Sequence, residues 1–164
     1  MPYVLFHEYF PETAKRETRT ITVPDPSCFG VPAGDYGLLE LSFCDEPGCD
    51  CRRVLFSVLS RQRNSLDAVI AYGWESLDFY TQWMRDDDPD IIATLKGLSL
   101  NLMSPQSKHA PALLDLLRDM LFRDSEYVER IQRHYRMFRE KIDGKPGRRP
   151  NKKKRMKQKK KRKQ

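Results

Sequence analysis

Residues 35–72 read DYGLLELSFCDEPGCDCRRVLFSVLSRQRNSLDAVIAY, and this stretch decides the fold. Its first run, 35–43, places Leu39, Leu41 and Phe43 on one face and Leu38, Glu40 and Ser42 on the other, the two-residue period of a strand with one buried side. The run 52–59 carries Val54, Leu55, Phe56, Val58 and Leu59, apolar on both faces, as expected of a central strand covered on both sides. Residues 66–72 form a further strand. The polar SRQRNS between them is short enough for an antiparallel hairpin.

Upstream, ETRTITV at 17–23 alternates Thr18, Thr20 and Thr22 against Arg19, Ile21 and Val23, and Pro24 and Pro26 end that strand. Downstream of Trp74 the period becomes helical. Ser76 can cap a helix bearing Phe79, Tyr80, Trp83 and Met84 on one side. Asp88 and Pro89 open a short second helix that Gly97 closes, and 98–109 reads as a loop. A third helix runs over 111–122, with Leu113, Leu114, Leu117, Met120 and Leu121 inward. A fourth, opened by Asp124 or Ser125, repeats Tyr127, Ile131, Tyr135, Phe138 and Ile142 until Gly144, Pro146 and Gly147 stop it. Strands first and helices after predict an α+β fold: an antiparallel sheet of about four strands followed by about four helices.

Charge divides the chain in two. Of 30 Lys and Arg, 13 fall within 144–164, which has no acid; the remaining 17 face 23 acids, so the first 143 residues carry −6 while the whole carries +7. The expected organisation is one globular domain, 1–144, and a polybasic tail, 145–164, too poor in apolar side chains to offset its chain entropy and therefore disordered. Beyond Lys145, its basic side chains are the candidate contacts Arg148, Arg149, Lys152, Lys153, Lys154, Arg155, Lys157, Lys159, Lys160, Lys161, Arg162 and Lys163. They suit non-specific binding of RNA or DNA phosphates through counterion release. Arg130, Arg133, Arg136 and Arg139 on the last helix would extend that positive surface, or line a solvated face. No apolar run reaches the length of a membrane span, and a crowded trio of cysteines is unlike the framework of a secreted disulfide domain, so a reducing cytosol is the expected compartment.

The trio is CDEPGCDCRR, Cys44, Cys49 and Cys51, between two strands. Pro47 and Gly48 favour a tight reversal that returns Cys44 toward the other two, and three thiolates at a strand-turn-strand element suit zinc. Cys28 is the remaining cysteine and the first candidate for a fourth ligand. An extended strand over 35–43, at ~3.3 Å per residue, would put it roughly 26 Å away unless the connector folds back. His7, His109, His134, Asp45 and Asp50 are further options. With no metal the same thiols would be small semi-buried side chains, and Arg52 and Arg53 beside them would favour thiolate and so a reactive cysteine. No Gly-rich phosphate loop, H-E-x-x-H or G-x-S-x-G is present, and no catalytic residue is assigned.

The strings DYGLLELSFCDEPGCDCRRVLFSVLS, AYGWES and ERIQRHYRMFRE resemble an uncharacterised bacterial family, over residues 1 to 142. Some of its members end in a short cysteine-rich zinc motif. Here no cysteine follows Cys51, and the polybasic end stands in that place. The resemblance implies no activity. The expected function is a non-enzymatic nucleic-acid-associated accessory protein with a structural zinc site; the alternatives are a protein-interaction module with an incidental tail, and a thiol-dependent enzyme.

Overall fold

The computed structural model describes residues 3–144, and within them the two turns of the 35–72 stretch close a three-stranded antiparallel meander. β3 (Gly34–Cys44), β4 (Arg53–Ser60) and β5 (Ser65–Gly73) are its strands, and β4 lies between the other two. Residues 145–164, the expected disordered tail with all of its proposed nucleic-acid contacts, lie outside the described residues.

The fold is α+β with an antiparallel sheet, and it has more elements than the periodicities predict. Six strands pair among the described residues. β1 (Tyr3–Leu5) and β2 (Thr20–Val23) share one edge of β3: Tyr3 faces Cys44 at one end, and Val23 faces Gly34 at the other. Between them come α1 (Phe6–Tyr9) and α2 (Pro11–Glu17), and α3 (Pro26–Phe29) follows β2, so three short helices precede the main strands instead of following them. Each is under eight residues, too short for a helical period to show in sequence.

The four predicted later helices are present: α4 (Leu77–Met84), α5 (Pro89–Leu95), α6 (Ala110–Arg123) and α7 (Ser125–Asp143). Their caps form as their residue types require. Ser76 Oγ accepts from the Phe79 N–H at 3.1 Å, Asp88 from Asp90 at 2.9 Å, and Asp124 from Tyr127 at 3.0 Å. Residues 98–109 are not all loop. β6 (Gly97–Leu100) pairs with β5, because the outer edge of β5 would otherwise leave its backbone groups unpaired. Beyond β6 the Gln106 side chain takes over as a backbone mimic, accepting from Val69 N at 3.1 Å and donating to Val69 O at 2.9 Å.

Register corrects two expectations about faces. β3 does not keep one parity: its pairing with β4 shifts between Leu39 and Ser42, so Tyr36 before the bulge and Leu41 and Phe43 after it all reach the same core. β4 buries only alternate residues, Val54, Phe56, Val58 and Ser60. The strand buried without alternation is β5, continuously from Asp67 to Ala71, with β6 paired along its edge and α5 and α6 packed against it.

One face of the sheet carries the main core, where Leu113, Leu117 and Leu121 of α6 and Ile131, Tyr135 and Phe138 of α7 meet Phe43, Phe56 and Ile70. A smaller cluster of Tyr80, Ile92 and Leu95 joins α4 to α5. It reaches the sheet at Gly73, where a Cβ would stand 2.1 Å from the Leu95 carbonyl oxygen and 2.4 Å from the Tyr80 hydroxyl. Glycine is thus required for close approach at the end of β5. No helix among the described residues is long and apolar enough to cross a membrane.

Candidate metal centre

Cys44 is the last residue of β3, and the chain then turns through 45–52 into β4. Pro47 precedes Gly48 at φ 74°, and the Cys49 N–H donates to the Glu46 carbonyl at 3.1 Å, so the reversal expected from Pro-Gly forms. It brings Cys44, Cys49 and Cys51 together, their three sulfurs all within 4.8 Å of one another. Tetrahedral zinc with bonds of about 2.3 Å requires sulfurs roughly 3.8 Å apart, so contraction of the order of 1 Å would complete such a set. Cys44 and Cys51 are buried and Cys49 is half-buried.

The turn is held from outside itself. Arg139 of α7 donates through Nη1 to the Cys44 carbonyl at 2.7 Å and through Nη2 to the Glu46 carbonyl at 3.0 Å. The same guanidinium is paired with Asp143, whose Oδ1 accepts from the Gly48 N–H at 2.7 Å. One helical turn earlier, the Tyr135 hydroxyl accepts from the Arg52 N–H at 3.3 Å and donates to Asp50 at 3.4 Å. From α4 the Tyr80 hydroxyl donates to the Arg52 carbonyl at 3.0 Å. Arg52 thereby sits at φ 47°, a left-handed conformation that is uncommon outside glycine.

The flanking arginines do not activate the thiols as their adjacency in sequence suggests. Burial and the charge of Cys51 push the Cys49 thiol up to about 12, and burial raises Cys51 as well, over the opposing effects of a backbone hydrogen bond and Arg53. Arg52 points away, to Asp50 and Glu75 at 3.0 Å and over the Phe79 ring at 4.5 Å. Tyr3 and Tyr135 are also raised, by burial and then by Cys51. A nucleophilic cysteine needs thiolate near neutral pH, and burial moves Cys49 and Cys51 in the opposite direction. A cation among them reverses the balance, because it offsets the charge that burial disfavours.

Of the other ligand candidates, none with a described side chain joins the trio. His134 packs flat on Phe6, ring centroids 4.5 Å apart, with Nε2 2.7 Å from Glu17. His109 adjoins the start of α6, and His7 lies on α1. Cys28 is in α3, before the opposite end of β3 from Cys44, and ten steps of strand separate those ends by roughly 30 Å. Its side chain is outside the described residues. The four arginines of α7 do not make a shared positive face: Arg139 is turned into the cysteine turn, Arg133 pairs with Glu17, and Arg130 donates to the Glu17 carbonyl at 3.4 Å. The i, i+4, i+8 spacing of Tyr135, Arg139 and Asp143 is visible in the sequence, but nothing local says that this row faces a turn some ninety residues earlier.

Beside the trio lies a cleft of about 510 Å³, lined by Cys49, Asp50 and Arg52 of the turn, by Trp74 and Glu75, and by α7 from Gln132 to Asp143, including Arg136, Arg139 and Glu140. No family model, no curated protein and no solved structure matches the chain.

Proposed function

We propose that this is a metal-binding protein in which the thiolates of Cys44, Cys49 and Cys51 hold one zinc ion, with the metal locking the turn between β3 and β4 onto β1 and α7. The mutual approach of the three sulfurs to within 4.8 Å carries this reading. A donor set of three sulfurs selects soft or borderline ions such as zinc over calcium or magnesium. The Arg139 and Asp143 strap supports it, since a second layer of hydrogen bonds that fixes ligand geometry typifies metal sites. Elemental analysis of protein purified without chelator should give one zinc per chain, and Cys44→Ser with Cys51→Ser should give none. Absence of stoichiometric metal from the wild type would remove the proposal.

A second role follows from charge. With 13 basic residues and no acid, segment 144–164 is suited to hold the protein on RNA or DNA without sequence preference. If it engages ~8 phosphates, log affinity for duplex falls against log salt with a slope of roughly −7. Truncation after Gly144 should abolish that binding; affinity kept by the truncated chain would place the contact in the folded part.

A further inference from the structure

Three cysteines leave a tetrahedral ion one position short. Among the described residues no other His, Cys, Asp or Glu joins the set, and the buried sulfur residues, Cys44 and Cys51, close it from within. Cys49 is the member that lines the cleft, so the cleft is the side from which a fourth ligand can arrive. Three protein ligands facing a cavity is the pattern of zinc sites that exchange a ligand, whereas purely structural sites supply all four from the chain.

The cleft walls indicate what that ligand is. At about 510 Å³ the space suits a small molecule. Trp74 and Tyr135 meet edge to face at 5.2 Å and give it an apolar flank. Its cations differ in how they are used: Arg52 is occupied by Asp50 and Glu75, and Arg139 by Asp143, whereas exposed Arg136 has no carboxylate partner among the described residues. Exposed Glu140 also lines the cleft and is not among the ion pairs of the described residues. An ion held by three thiolates favours a fourth soft donor, and a guanidinium with open donors favours a carboxylate.

We infer that the fourth position opens into this cleft and takes the sulfur of a small carboxylate-bearing thiol, with the carboxylate on Arg136. This rests on the metal centre proposed above. On binding, the thiol loses its proton to solvent as the metal–sulfur bond forms, with no change in oxidation state. Because Arg52 and Arg139 are already paired with Asp50, Glu75 and Asp143, the added negative charge is met by Arg136 alone.

The test uses the full chain loaded with cobalt(II), whose visible and near-ultraviolet bands report the number of thiolate ligands. 3-Mercaptopropionate and cysteamine, of similar size and opposite charge, are titrated anaerobically into wild type and Arg136→Gln, with a metal indicator present to detect released cobalt. The expected result is a saturable gain in thiolate-to-cobalt absorption, at least tenfold tighter for 3-mercaptopropionate in the wild type, with that preference lost in Arg136→Gln. A one-to-one cobalt complex whose spectrum neither thiol changes overturns the inference and leaves the metal centre standing, as does removal of cobalt into solution. Equal midpoints for the two thiols in the wild type overturn the carboxylate assignment. Failure to bind cobalt at all overturns the metal centre itself.

Discussion

The two turns of the central meander use the same backbone device for different reasons. Each contains one non-glycine residue in the left-handed region, Arg52 at φ 47° in the turn 45–52 and Asn64 at φ 48° in the turn 61–64. Asparagine tolerates that conformation, and its turn is held within itself and by the neighbouring strand: Asn64 N donates to the Arg61 carbonyl at 3.4 Å, Arg61 N to the Asp35 carbonyl of β3 at 2.9 Å, and Asp35 N to Gln62 Oε1 at 2.9 Å. Buried Asp67, the extra residue of the β4–β5 bulge, is paired there with Arg63 and Ser65. Arginine has no such tolerance. Arg52 is kept in place by hydroxyls from α4 and α7, and the rest of its turn by Arg139 and Asp143. One turn is tied only to the strands of the meander itself; the other is held by helices from outside it, around three thiols.

If that contrast is real, perturbing the cysteine turn should be costly and dependent on metal. The largest effect expected is from chelation: zinc at 1,000 times its Kd stabilises the folded state by about 4 kcal/mol. Thermal unfolding of the wild type should therefore fall sharply with chelator, and that of Cys51→Ser should not respond. Next, Arg139→Ala strands the Cys44 and Glu46 carbonyls and Asp143 and should cost roughly 2–3 kcal/mol in denaturant unfolding, with weaker metal retention. A cost below ~0.5 kcal/mol would mean that the turn holds itself and the contrast is wrong. Tyr80→Phe, which removes the donor to the Arg52 carbonyl, should cost about 1–2 kcal/mol.

A pH series separates the two faces of α7. Burial, opposed by Glu17, holds His134 below its ordinary value, so the folded state binds fewer protons there than the unfolded chain. Stability contributed at this group is present above about 6.5 and is lost as pH falls toward the lowered value, by at most about 1.4 kcal/mol per pH unit for one proton. Burial opposes ionisation of Glu17, but His134, Arg133 and Arg130 outweigh it and keep the carboxyl below its usual range, which adds a further loss at lower pH. Denaturant unfolding between pH 7 and pH 5 should show this slope, flattened in His134→Gln. The smallest effect belongs to the 61–64 turn. Asn64→Gly should change stability by no more than about 0.5 kcal/mol, since glycine accepts the same conformation.

Much of this was legible in residue order because burial of a face leaves a period. The hairpin of β4 and β5, the four later helices and the caps at Ser76 and Asp88 follow from spacing and cap chemistry alone, while the choice of Asp124 over Ser125 as the last cap came from the structure. So does the convergence of Cys44, Cys49 and Cys51, because a Pro-Gly reversal acts over a few residues. What stayed hidden was either too short to carry a period or depended on a distant partner. β1, β6 and the first three helices are of the former kind, each needing a neighbour to exist. The bulge in β3 is of the latter, since a single extra residue reverses the parity of every following side chain and only pairing with β4 places it. The burial of His134 arises where α7 meets Phe6 and Glu17, and the engagement of Arg139 and the cleft beside Cys49 where it crosses a turn some ninety residues away. The sequence by itself determined which segments curl, which extend and where three sulfurs meet; packing alone decided which side chains hold them and which side of the trio stays open, because partners so far apart in the chain are chosen by how the helices and sheet fit together.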